Sequence, residues 1–159
     1  MHITKIDSNN GTLYQAAGPS IDRRTTLREL MAAAEDLNLT FQKNSNVNTI
    51  TYVYGATAEI QGLSFTISIH FCGNTIDYIF LKNHDGPASS ADWDTINEDL
   101  LRKEVKILSE AMTNELQLPP KRLSSMRSDW KFSWGTVKVM AETRSFNCGV
   151  YVAYGPGAS

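Results

Sequence analysis

Residues 92–116 constrain this chain more than any other stretch, because they read as one long amphipathic helix that the rest must be arranged around. At about 100° per residue, Trp93, Ile96, Leu100, Ile107 and Ala111 fall on one apolar seam. Leu101, Val105, Leu108, Met112 and Leu116 fall on a second, with Arg102, Lys106, Ser109, Glu110 and Thr113 opposite. So wide an apolar arc must cover much of a sheet, or touch both a sheet and a second body. Ser90, Asp92 and Asp94 are candidate N-caps. Asp92, Asp94, Glu98 and Asp99 suit the positive end of the helix dipole. Glu98–Arg102 and Asp99–Lys103 have the spacing that adds about 0.2–0.5 kcal/mol per pair. Pro119 and Pro120 stop the pattern.

Strand periodicity flanks this helix on both sides. Ile50, Tyr52 and Tyr54 alternate with Thr49, Thr51 and Val53, and Ala58 and Ile60 extend the strand past a bulge at Gly55. Gln61-Gly62 predicts a turn. Leu63, Phe65, Ile67, Ile69 and Phe71 then share one face against Ser64, Thr66, Ser68, His70 and Cys72 on the other. After a turn at residues 72–74, Ile76, Tyr78 and Phe80 alternate with Asp77, Ile79 and Leu81. Beyond the helix, Trp130, Phe132 and Trp134 share a face, Gly135 bends the chain, and Val137 and Val139 align. A turn near Thr143 leads into a last strand over 146–154. One apolar face and one mildly polar face are the marks of an antiparallel sheet covered on one side.

A shorter helix precedes the strands. Thr26 with Glu29 three residues on is a capping box, and Leu27, Leu30, Met31, Ala34 and Leu37 make its apolar stripe up to residues 37–38. Residues 8–20 read as loop and residues 1–6 as an optional strand. The expected fold is α+β: a five- or six-stranded antiparallel sheet packed against two helices, in the order (β)-α-β-β-β-α-β-β. Residues 1–154 are expected to form a single domain and 155–159 a frayed tail.

Composition narrows the function classes. With 15 basic and 17 acidic residues, the net charge of −2 supplies no global field for nucleic acid or an anionic membrane. No apolar run is long enough for a signal peptide or a span, so the expected setting is cytoplasmic, with no membrane and no nucleic acid as partner. Cys72 and Cys148 lack zinc spacing and are expected as free thiols. No metal or cofactor is expected, and no phosphate loop, zinc-helix or nucleophile-elbow pattern occurs. The element order looks like that of small secretion chaperones or toxin-neutralising immunity proteins. That resemblance lies in the fold alone and implies an adaptor, chaperone-like or immunity-like role.

Individual residues supply candidates. Glu104 sits between the two helix seams, with Asn97 and Glu115 in the same direction, and would need a partner if covered. Arg122 and Arg127 are the cations nearest in sequence. Trp130 and Trp134 read first as core and second as interface anchors. His70 and Cys72 share a strand face, and His84 sits in a turn-rich loop; these are weaker candidates for ligand binding or chemistry. The leading reading is a non-enzymatic protein-interaction module, acting on a protein partner or as a homodimer. The alternative is a small-ligand-binding protein or hydrolase whose pocket, between sheet and helices, draws on Glu104, His70 or the 121–127 connector.

Overall fold

The structure, a computed structural model, describes residues 1–155, so the expected 155–159 tail lies outside the described residues apart from Gly155. The described residues form β1 (His2–Ile6), β2 (Leu13–Gln15), α1 (Leu27–Ala32), α2 (Ala34–Leu37), β3 (Thr40–Lys43), β4 (Ile50–Ile60), β5 (Leu63–Cys72) and β6 (Thr75–Lys82). Then follow α3 (Glu98–Leu116), β7 (Arg122–Leu123), β8 (Arg127–Phe132), β9 (Gly135–Glu142) and β10 (Asn147–Tyr154). The strands make one sheet in the order β2-β1-β4-β5-β6-β10-β9-β8-β7, with β3 also paired to β4.

The α+β class holds, but a five- or six-stranded antiparallel sheet with two helices is corrected to a ten-stranded mixed sheet with three helices among the described residues. The mixed character comes from β1, which pairs β4 in parallel; β2, both short helices and β3 lie between the two in sequence. The additional strands β2, β3 and β7 span two to four residues, too few for alternation to register.

Two helix expectations also change. The capping box at Thr26 and Glu29 forms as read, but the helix breaks at Ala33 (φ −101°, ψ 8°), leaving Met31 52% exposed. The long helix starts at Glu98 rather than near residue 92. Asp92 accepts hydrogen bonds from the Thr95 amide (3.0 Å) and hydroxyl (2.8 Å), closing a local turn that competes with helix. Asn97 takes the cap instead, accepting from the Leu100 amide at 3.0 Å. Trp93 thereby leaves the helix and is exposed. Arg102 reaches both Glu98 (3.0 Å) and Asp99 (2.9 Å), so Asp99 takes Arg102 in place of the expected Lys103.

α3 packs across β8, β9 and β10 and reaches β1. Its second seam does most of the covering: Leu101, Val105, Leu108, Met112 and Leu116 are buried, whereas on the first seam Ala111 is buried and Ile107 exposed. On the sheet, a cross-strand row runs Val53–Ile69–Ile79–Val152–Val137–Trp130, in register over six strands. Every member is fully buried, and each contributes about 1.5–3 kcal/mol by leaving water. Side chains alternate along strands, so this row defines a core face and leaves its neighbours on the face turned away from α3.

Candidate protein-binding face

Tyrosines alternate with the aliphatic core positions on the central strands, and they occupy that second face. Tyr52, His70 and Tyr78 stand opposite one another across β4, β5 and β6, and Phe80 stands opposite Tyr151 across β6 and β10. Their rings form one continuous cluster. His70 stacks on Tyr78 (centroids 4.2 Å, 13°) and meets Tyr52 edge-on (4.9 Å, 70°). Tyr78 contacts Tyr151 (5.9 Å), and Tyr151 contacts Phe80 (4.8 Å). These separations lie in the range where aromatic pairs stabilise one another. A side chain on Gly149 would collide with the Phe80 ring, so this glycine lets the ring lie flat on β10.

All five of these side chains are half-buried, so they keep accessible edges. Burial raises the Tyr78 phenol above its ordinary range, helped by Tyr52, Asp77 and Tyr54, and pushes Tyr151 up to about 12. Burial also lowers the His70 imidazole, against the raising influence of Asp77. Ser68 Oγ lies 3.0 Å from His70 Nε2, while His70 Nδ1 is buried without a hydrogen-bond partner among the described residues. The cluster is thus neutral and partly dehydrated, as interface anchors are.

Farther along the same face, Arg127 grips Asp129 with Nε at 2.8 Å and Nη2 at 3.0 Å. This bidentate pairing raises the guanidinium's already high pKa further. Arg122 lies opposite Asp129 on the edge strand β7. Lys138 lies opposite Asp129 on its other side.

Glu104 is fully buried on the core side and belongs to a different piece of construction. Its Oε1 accepts from the amides of Ala88 (3.2 Å) and Ser89 (2.8 Å), and its Oε2 from the Ser89 hydroxyl (2.7 Å). The Cys148 thiol is buried beside it, and burial followed by this carboxylate's charge drives that thiol far above the normal range. The partner expected from Arg122 or Arg127 is therefore corrected: Arg127 is committed to Asp129, and backbone amides of the 83–91 loop satisfy Glu104. Its neighbours on the helix have similar duties. Asn97 caps, and Glu115 accepts from the Ile6 amide (2.8 Å) and from Gln61 (3.0 Å).

The tryptophan candidates are interior. Trp130 is fully buried and donates to the Leu118 carbonyl, and Trp134 donates to the Ser8 carbonyl, both at 2.8 Å. Trp134 is held between Phe132, stacked at 4.9 Å, and Gly11, where any side chain would strike the indole. His84 is exposed with Nε2 2.6 Å from the Thr66 hydroxyl, and Cys72 is exposed at the end of β5. Among the described residues no group of three His, Cys, Asp or Glu is placed to hold a metal ion.

His70 lies on the open face and Glu104 on the core face, so no pocket unites them. The 120–125 stretch does line a groove of about 760 Å³ against α3, with Val105, Thr113, Pro120 and Leu123 among its walls, but Glu104 is not one of them. Tyr52, Tyr78, Phe80, Tyr151, Lys138 and Asp129 were not singled out from sequence. The available signal was the hydroxyl: of two apolar sets alternating on one strand, the set with tyrosines belongs at the wet side.

No helix among the described residues is long and apolar enough to cross a membrane. No protein-family model and no curated protein sequence matches the chain. In fold it is similar to a chain of the solved structure of Rhs1-CT in complex with cognate immunity protein RhsI1, with a TM-score of 0.55 and 12% sequence identity over 96% of this chain and 86% of that one.

Proposed function

We propose that this chain is a non-enzymatic protein-interaction module of the immunity type, which binds a toxin domain in the cytoplasm through the open face of its sheet. The carrying observation is the half-buried ring cluster of Tyr52, His70, Tyr78, Phe80 and Tyr151 on the side away from α3. A patch of this kind offers large contact area at little cost in side-chain entropy, since each ring is already fixed by its neighbours. The fold likeness spans 96% of the chain, and the similar structure holds an immunity protein in complex. A pocketed hydrolase gains no comparable support, because Glu104 is spent on loop amides and His70 faces the other way.

The test is co-purification with toxin domains encoded in the same genome, followed by light scattering and a growth assay. A one-to-one complex and protection of cells expressing the toxin are expected, with both weakened by Tyr78→Ala. A chain that only pairs with itself through this face, and protects against none of them, would sink the proposal in favour of a homodimer.

A further inference from the structure

The open face changes character toward β7. One cross-strand row reads Ser68–Phe80–Tyr151–Lys138–Asp129–Arg122. After Ser68 it runs through two aromatic residues and ends in three charged ones. Arg127 and Lys131 flank Asp129 on β8, on the same side of the sheet. Four cations therefore surround a single carboxylate, in a chain whose net charge is −2.

That carboxylate does not neutralise them. Asp129 is 3% exposed and closed by the two bonds from Arg127. Lys138 is half-buried and forms no ion pair among the described residues. Burial lowers its pKa, and the charges of Arg127 and Lys131 lower it further, against the pull of Asp129. An ammonium held this way gains by acquiring a counter-ion. Beside it lies a depression of about 340 Å³ walled by Tyr78, Met140, Tyr151 and Ala153, with Asp77 also at its lining.

We propose that this end of the face receives a protein segment in which a carboxylate stands next to an aromatic or aliphatic side chain. The carboxylate pairs with Lys138 inside the ring of Arg122, Arg127 and Lys131, and the apolar group fills the depression between Tyr78 and Tyr151. The inference rests on the protein-binding reading and names the chemistry of the partner. A nucleic-acid strand fits less well. A single-strand binder needs a continuous positive track, whereas here the cations gather at one end of the face and give way to uncharged rings along the rest of the row.

Fluorescence anisotropy on the full chain tests this with three fluorescein-labelled probes. These are a short peptide of Glu-Glu-Tyr repeats, the same peptide with Lys for Glu, and a single-stranded oligonucleotide. The acidic peptide is expected to bind at least about tenfold more tightly than the other two, and to weaken as salt is raised. Lys138→Gln should remove most of that preference, whereas Lys106→Gln on α3 should leave it unchanged. Circular dichroism checks that each variant is folded, and Lys131→Gln supplies a second, exposed cation should Lys138→Gln fail to fold. Equal binding of the basic peptide, tighter binding of the oligonucleotide, or acidic binding indifferent to the folded lysine variants overturns the proposal. If no toxin complex forms but the acidic peptide still binds through Lys138, the immunity reading falls and this one stands. If the complex forms and ignores Lys138→Gln, only this one falls.

Discussion

Ser89 holds Glu104 twice, through its amide to Oε1 at 2.8 Å and through its hydroxyl to Oε2 at 2.7 Å. A fully buried carboxylate on α3 is thereby satisfied by a loop rather than by a cation. Glu104→Ala leaves the Ala88 and Ser89 amides without their acceptor and is expected to destabilise the fold by about 3 kcal/mol. Glu104→Gln keeps an acceptor oxygen and should cost about 1 kcal/mol. Urea unfolding of the two variants measures both, and equal losses would show that a neutral acceptor oxygen does not replace the carboxylate.

Gly86 and Glu104 should behave as one unit. A side chain on Gly86 would collide with the Glu104 carboxylate, so the loop passes close only because this residue has none. Gly86→Ala is expected to push the carboxylate off its donors. Combined with Glu104→Ala, it should add far less than the sum of the single losses, by about 1 kcal/mol or more. Strict additivity in the double-mutant cycle would refute the coupling.

The two thiols should differ sharply in reactivity. Cys72 is exposed, whereas Cys148 is buried against Glu104 with its pKa driven upward. Only the thiolate attacks. A maleimide reagent should therefore label the native chain once, at Cys72, and label Cys148 only after denaturation, as intact-mass measurement can show.

Stability should fall on the acid side because of His70. Its folded pKa lies below the ordinary 6.5, so between those two values the unfolded chain binds a proton that the folded chain refuses. The contribution is complete above 6.5 and declines as pH falls through the window down to the folded value. His70→Phe keeps a ring against Tyr78 and should flatten that part of the profile in urea titrations at successive pH values. An unchanged slope would assign the acid sensitivity elsewhere.

At the proposed recognition face, Tyr78→Ala and Tyr151→Ala should each weaken partner binding by about 2 kcal/mol or more, as central aromatic anchors do. Calorimetry on the purified complex would measure this. Leu123→Ala, at the exposed edge of the α3 groove, should leave affinity within about 0.5 kcal/mol; the reverse ranking would move the interface to that groove.

Much of the frame was legible because it is written in long periods. The alternation of Phe65, Ile67, Ile69 and Phe71 belongs to the core face as read, and the Thr26 cap and the end of α3 fall where the residues place them. β6 shows where periodicity stops helping. Both of its alternating sets are apolar, so the pattern could not say that Ile79 and Leu81 face inward while Tyr78 and Phe80 face out. The partners of Glu104 were hidden for another reason: backbone amides have no letter in a sequence. Lys138 became noticeable only once the sheet register set it beside Asp129, which Arg127 had already taken.

The pairing of β6 with β10 has a mechanical consequence. Among the described residues it is the only strand pairing that joins residues 1–82 to residues 122–154, and it matches Ile79, Phe80 and Leu81 with Val152, Tyr151 and Val150. The recognition cluster straddles that joint, with Tyr78 and Phe80 on one bank and Tyr151 and Lys138 on the other. A partner seated there grips both banks at once, so its binding energy acts as a clasp against their parting. The free chain is then the fragile form, and hydrogen exchange at the joint should slow when the partner is in place.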